Sequence, residues 1–431
     1  METWSIVLIS ISVVAFFSLL SRNFSKNLPP SPPAFPIIGH LLWLLKPYAE
    51  MELILRNLHE KYGPIFTLYI GRKPLIFIAT RSLAHEALVQ NSAILTDRPP
   101  IAPTTKIFTC NQHSISFGSY DPKWRLLRRN ITSEILCLPR IRSYSHARKW
   151  AWKFLLIIRN SEFLAKTWKD FVSKALAGGI TEVPVENKED ELVVSYVDTL
   201  LDLQIPEENN RKLTESEVTS LCAEFLDAGT GSTSTAFQWI MANLVKYPEV
   251  QEKLFMEMKK VIGDGKEELS EEEVERVPYL KAVILEGFRR HPPAHNLLAH
   301  AATEDTVLNG FVVPKGVAVN FLVAEMGLDP KAWKDPMAFK PERFLDQGQV
   351  VYDITGSKEI KMLPFGAGRR MCAGYNLGIL HLEYFVGNLV WKFQWKAMEG
   401  DGDVNFAEED EFTIPMKYSL QANISPRVRR E

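Results

Sequence analysis

Apolar and polar residues follow one another along this chain with periods that change several times, and each change marks an element. From Met51 to Tyr62 the apolar residues recur every three or four positions, the spacing that gathers them on one face of a helix. Ile65 to Ile70 and Leu75 to Ala79 read instead as a strand pair broken at Gly71. Helical spacing returns over Ala84 to Val89, Pro122 to Leu136, Glu217 to Lys246, Glu249 to Val261, Pro278 to Arg290 and Leu377 to Val390. Between these, Ala177 to Ile180 and Val183 to Val185 complete no helical pattern, and the acidic run Glu267 to Glu273 suits a solvated helix end. The expectation is a mainly α protein with a small β-rich lobe.

Two N-terminal stretches break the pattern. Trp4 to Leu20 is almost wholly apolar or Ser, Glu2 is the one early charge, and Arg22 and Lys26 follow. That length is near the low end of the roughly 17–25 residues that span a bilayer. A signal peptide carries basic residues ahead of its apolar run, so charge placed behind it favours a single uncleaved anchor with a lumenal N-terminus. Pro29 to Gly39 holds five prolines; they fix φ, restrict their predecessors and forbid a helix, which suits a stiff spacer. The organisation expected is an anchor over 1–21, a basic and Pro-rich hinge over 22–40, and one catalytic body over 41–431.

Composition narrows the class. A chain of 431 residues, 46% hydrophobic, holds a sizeable core, and a formal net charge of −2 with dispersed basic residues leaves no footprint for nucleic acid. The four cysteines, Cys110, Cys137, Cys222 and Cys372, show no C-x-x-C spacing and no dense framework, which argues against structural zinc and a disulfide scaffold.

The chemistry concentrates in Phe365-Gly366-Ala367-Gly368-Arg369-Arg370-Met371-Cys372-Ala373-Gly374. A thiol becomes a good metal ligand where positive charge or backbone N–H groups stabilise its anion. Arg370, the amides of a Gly-rich turn and the N-terminus of the following helix are the expected sources. The pattern F-x-x-G-x-R-x-C-x-G resembles the haem-ligand loop of the cytochrome P450 family, and the resemblance, close to plant microsomal members, covers about Pro29 to Pro426.

That resemblance carries further expectations. Cys372 is the axial ligand of the iron of haem b, with Phe365, Gly368, Arg370 and Gly374 binding the cofactor. Trp124 and Arg128 match W-x-x-x-R, whose members reach a haem propionate. Glu286, Arg289 and Arg343 form a buried structural network. Ala228 to Thr233 matches A-G-x-[DE]-T-[TS] on the oxygen face, so Gly229, Ser232 and Thr233 are catalytic candidates, and Gly231 stands where the family has an acid.

Substrate contacts fall at Pro103 to Ser116, Phe225 to Thr233, Pro292 to Leu298 and Phe412 to Met416, while His295 and His300 are loop residues and no metal ligands. The implied reaction inserts one oxygen atom of O2 into a lipophilic small molecule, with electrons from NADPH through a reductase at the endoplasmic reticulum membrane, the body being cytosolic. About 100 residues separate Arg128 from Gly229, fewer than in the family, and the shortfall is expected around 157–190. The alternative reading is therefore a non-catalytic or misfolded chain that binds haem poorly.

Overall fold

The computed structural model describes residues 4–5, 7–13, 16, 27–35, 37–157, 194–263, 265–398 and 404–427. Where the sequence predicts one body, contacts divide the chain in two. The first unit is Met1–Ile101, His295–Met326 and Ile354–Met371; the second is Ala102–Ala294, Gly327–Asp353 and Cys372–Glu431.

The first unit is built on the predicted strand pair. Helix α1 (Tyr48–Tyr62) precedes β1 (Ile65–Ile70) and β2 (Lys73–Ile78), which pair antiparallel with Ile65 opposite Ile78 around a turn at Gly71, whose φ is +59°. The sheet is completed from far along the chain by β3 (His300–Ala301) and β4 (Ala318–Phe321) in the order β1-β2-β4-β3, with β4 parallel to β2. Side chains alternate across a strand, and here both faces are buried. Ile65, Ile76 and Ile78 join one apolar cluster, while Phe66, Leu68 and Phe77 join another with Met51, Leu55 and Leu58 of α1.

The Pro-rich stretch corrects the spacer expectation. It is extended, as its prolines require, but it lies on β1. Thr67 gives its N–H to Pro30 O at 2.8 Å and its Oγ1 to Pro29 O at 3.0 Å, and His40 and Tyr69 exchange two further bonds. Thr67 and His40 are both buried. Of the predicted anchor, Trp4, Leu8, Ile9 and Phe16 are exposed, and no helix of the described residues is long and apolar enough to cross a membrane. Arg22, Lys26 and the interval 158–193 lie outside the described residues.

The second unit is mainly helical, with short antiparallel strand pairs such as Phe393–Ala397 against Ala422–Pro426. Helix α2 (Pro122–Asn130) starts with Asp121 capping Trp124 N at 2.6 Å, and α3 (Glu215–Lys246) starts with a reciprocal Thr214/Glu217 box. Helices α4 (Pro248–Ile262), α5 (Pro278–Arg290) and α6 (Tyr375–Lys392) follow. Gly287 of α5 lets that helix close on Ile240 of α3, where a Cβ would collide. The predicted helix Pro122–Leu136 ends early because Ile131 to Ile135 widens into a turn closed by Leu136 N to Ile131 O at 2.9 Å; Glu86 to Gln90 does the same in the first unit.

Glu217 ties α2 to α3. Its buried carboxylate accepts from Lys123 at 2.5 Å and Arg211 at 2.8 Å. Burial opposes ionisation, but Arg211 and Lys123 outweigh it and hold Glu217 far below the usual carboxylate range. Apolar Leu127, Ile131, Leu200, Val218 and Leu221 fill the joint.

Candidate functional site

The cysteine loop runs through the boundary between the units, so each side is described separately. In the first unit, Gly366 and Gly368 take φ of +66° and +68°, a region that side-chain-bearing residues avoid. A Cβ on Gly368 would also run into Leu88 O, so two independent constraints demand glycine there. Phe365 is half-buried beside them, and Arg370 gives its Nε to Thr96 O at 2.7 Å.

A residue without a sequence motif appears nearby. Arg98, 9% exposed, donates to Leu298 O at 2.6 Å and Ala299 O at 2.9 Å. His300 is buried with Nδ1 2.8 Å from Leu95 O, and burial, reinforced by the Arg98 and Arg370 charges, lowers its pKa to about 3. It is a neutral packing residue on strand β3, where the sequence reading places a loop, and His295 sits 3.2 Å from Glu52. The only hint of Arg98 in the sequence was its place beside Asp97 and just before Pro99-Pro100.

In the second unit Gly374 is the N-cap of α6, and its backbone N–H points to Cys372. Cys372 is solvent-accessible at its surface, yet the protein mass around its sulfur is dense enough that burial pushes its thiol pKa up. The Gly374 amide and the Arg128 charge oppose that shift without cancelling it. The cation that acts on this sulfur is Arg128, a residue that the sequence reading places with Trp124 and not with the cysteine. An accessible sulfur next to an amide donor and an arginine fits a metal-thiolate group, which gains its charge when the metal displaces the proton.

Arg128 lies one helical turn after Trp124 on α2 and is itself disfavoured by burial, with Cys372 working the other way. Trp124 is buried and donates its single N–H to Ile115 O at 2.8 Å. An indole has one donor, so this tryptophan braces the loop that carries Ile115.

The predicted distal residues fall in mid-α3. Among the described residues nothing stands within 4 Å of where a Cβ of Gly229 would project, and a Cβ on Gly231 would reach ordinary contact with Thr413, at 3.8 Å. Ser232 gives its hydroxyl hydrogen to Ala228 O at 2.8 Å, and Thr230 and Ser234 bond back in the same way. Thr233 is half-buried beside them. The Ser232 hydroxyl is therefore present but engaged with its own helix.

Glu286, Arg289 and Arg343 do come together. Glu286 and Arg289 are fully buried and paired in a fork, Nε to Oε2 at 2.7 Å and Nη2 to Oε1 at 2.8 Å. Arg343 Nε reaches the same carboxylate at 3.1 Å, and Lys340 N at 2.7 Å. Arg289 spends its remaining donors on the carbonyls of Gly327, Pro336 and Ala338.

Comparisons agree with this layout. A family model described as Cytochrome P450 matches residues 29–151 and 149–421. The chain is 42% identical to cytochrome P450 89A9 of Arabidopsis thaliana, over 99% of this chain and 100% of that one. It is 28% identical to 5-epiaristolochene 1,3-dihydroxylase of Nicotiana tabacum, over 96% and 98%. Among solved structures, a zebra fish cytochrome P450 with abiraterone superposes with a TM-score of 0.73 at 24% identity, covering 88% of this chain and all of the other. A mainly helical chain with a small β lobe, a glycine-bound cysteine loop and relatives matched from end to end belongs to the cytochrome P450 family, among its plant members.

Proposed function

We propose that this chain is a haem-thiolate monooxygenase that inserts one oxygen atom of O2 into a lipophilic small molecule, taking electrons from NADPH through a reductase. The observation that carries the reading is the Cys372 setting: an accessible sulfur, the Gly374 amide and the Arg128 charge. Haem, held through iron by Cys372, would supply oxygen activation, which thiolate donation favours. Phe365, Gly368, Arg370 and Gly374 would shape the loop around it. Arg128 and Arg370 would meet its carboxylates, since a guanidinium fork suits that geometry.

On α3, Gly229 would leave room for oxygen, and Ser232, after releasing Ala228 O, would pass a proton with Thr233 beside it. Hydroxylating relatives such as the dihydroxylase of Nicotiana tabacum support a lipophilic substrate. The non-catalytic alternative is not favoured, because the cysteine loop and the glutamate-arginine network are intact.

The finer assignments belong to the same proposal. Residues 1–21 would anchor the chain in the endoplasmic reticulum membrane, supported by the apolar run and the basic residues behind it. Exposed Lys361 and Arg369 would meet the reductase. A shortened interval accounts for two facts. The alignment to the Arabidopsis relative runs over 510 positions against 431 residues here, and the family match comes in two blocks that meet at 149–151. That supports a junction there, at the N-terminal side of the interval read from the sequence.

The deciding experiment is the carbon-monoxide difference spectrum of the reduced full-length chain in membranes. A thiolate-type Soret band is expected, and its loss in Cys372→Ser. A wild-type protein that is well expressed with ample haem but lacks the band overturns the reading.

A further inference from the structure

On the second unit a loop between the first residues of the predicted substrate-contact stretch and α2 is held in an unusual way. Cys110, Asn111 and Gln112 all have positive φ, at 45°, 58° and 68°. Three left-handed residues in a row, none of them glycine, persist only where surrounding contacts over-determine them. Those contacts are explicit. Thr109 Oγ1 accepts from Gln112 N at 3.2 Å, Gln112 Nε2 donates to Phe117 O at 3.1 Å, and Gly118, where a Cβ would strike Ser114 O, closes the loop.

The loop is then fastened at one point. Glu224 of α3 accepts from Ile115 N at 2.9 Å and from Ser116 N at 2.5 Å, one amide on each carboxylate oxygen. Trp124 holds the carbonyl of the same Ile115. Two charge-assisted bonds on consecutive amides form a strong and directional clamp. Glu224 lies one helical turn before Ala228, the residue that receives the Ser232 hydroxyl. The clamp therefore sets how the loop lies against the stretch of α3 that leads into Gly229 and Ser232.

We infer that Glu224 is a positioning residue whose carboxylate latches the 109–118 loop onto α3 and thereby fixes the wall that bulky lipophilic substrates touch. The inference rests on the monooxygenase reading. Loss of the latch should leave iron ligation untouched and weaken ligands in proportion to how far they reach from the iron.

The test uses the full-length membrane chain and Glu224→Gln, which keeps the side-chain shape but can accept only through one oxygen. Hydrogen exchange should show the Ile115 and Ser116 amides protected in the wild type and faster in the variant. Spectral titration with the bulky azole clotrimazole should weaken about tenfold, the loss expected for one charge-assisted bond, while imidazole itself binds both proteins alike. Rapid exchange of these two amides in the wild type overturns the latch whatever the variant does, and so does unchanged clotrimazole affinity in a variant that still binds imidazole. If the wild type gives no imidazole response, the haem-thiolate reading fails, and the exchange measurement still decides whether Glu224 clamps the loop.

Discussion

Arg289 shows how much a single side chain can hold. Fully buried, it satisfies Glu286 and three carbonyls of the 327–338 stretch. Removing it leaves the buried Glu286 carboxylate with Arg343 as its one remaining charged partner among the described residues, beside the Lys340 amide. Arg289→Ala should cost about 3–5 kcal/mol, the usual penalty for breaking a buried pair, and denaturant unfolding would show it. Arg343→Ala should cost less, because that side chain is 11% exposed and water can replace part of what it gives. Equal losses for the two would show that this account of the network is wrong.

Glu383 offers a pH test at the same scale. Burial raises its pKa to about 7; Lys281 opposes the shift and Glu275 adds to it. The native state then holds a proton that the unfolded chain releases from about pH 4.5 upward, so this contribution is whole below about 4.5 and fades as pH rises through 7. Glu383→Gln is neutral throughout. Relative to the variant, the wild type should lose on the order of 2–3 kcal/mol between about pH 4.5 and 8, read from urea midpoints at both ends; parallel profiles would refute it.

At the scale of elements, the proposed reading of α3 puts Gly231 where the resembled motif carries an acid, and Thr413, 3.8 Å from where a Cβ would project, leaves room for a side chain there. Gly231→Ala should stabilise the helix by roughly 0.5–1 kcal/mol through the unfolded state, and Gly231→Asp should in addition raise product formed per NADPH consumed several-fold. No change in coupling would mean that protons already reach the site by another route.

The helices were legible because their apolar faces are local: α3 begins at Glu215 where periodicity indicated Glu217, and α5 spans Pro278–Arg290 as read. The widened turns at Glu86 and Ile131 were not, since a five-residue hydrogen bond changes no apolar spacing. Glu286 and Arg289 could be read three residues apart on one helix, whereas the carbonyls that complete Arg289 lie 38 to 49 residues away. Arg98 and Glu224 escaped for the same reason. Their partners are backbone groups, about 200 and 109 residues distant, and a backbone amide has no signature in a sequence.

For the whole molecule the informative question is where the proposed N-terminal anchor stops and the folded body starts. The sequence predicts a hinge over 22–40, but the hydrogen bonds to β1 begin at Pro29. Thr67, fully buried, has both its N–H and its hydroxyl satisfied by Pro29 and Pro30, and Tyr69 N is satisfied by His40. A deletion of residues 2–21 removes only the apolar run and leaves this strip docked on β1. It should move the protein from the membrane pellet to the supernatant while the carbon-monoxide spectrum survives. A deletion of residues 2–40 strips buried donors on β1 of their acceptors, each worth about 1–3 kcal/mol when left unmet. It should lower stability sharply and reduce the folded, haem-binding fraction. If the longer deletion folds as well as the shorter one, the Pro-rich strip is a tether after all; if the shorter one stays in the pellet, the chain has a second hold on the membrane besides its N-terminus.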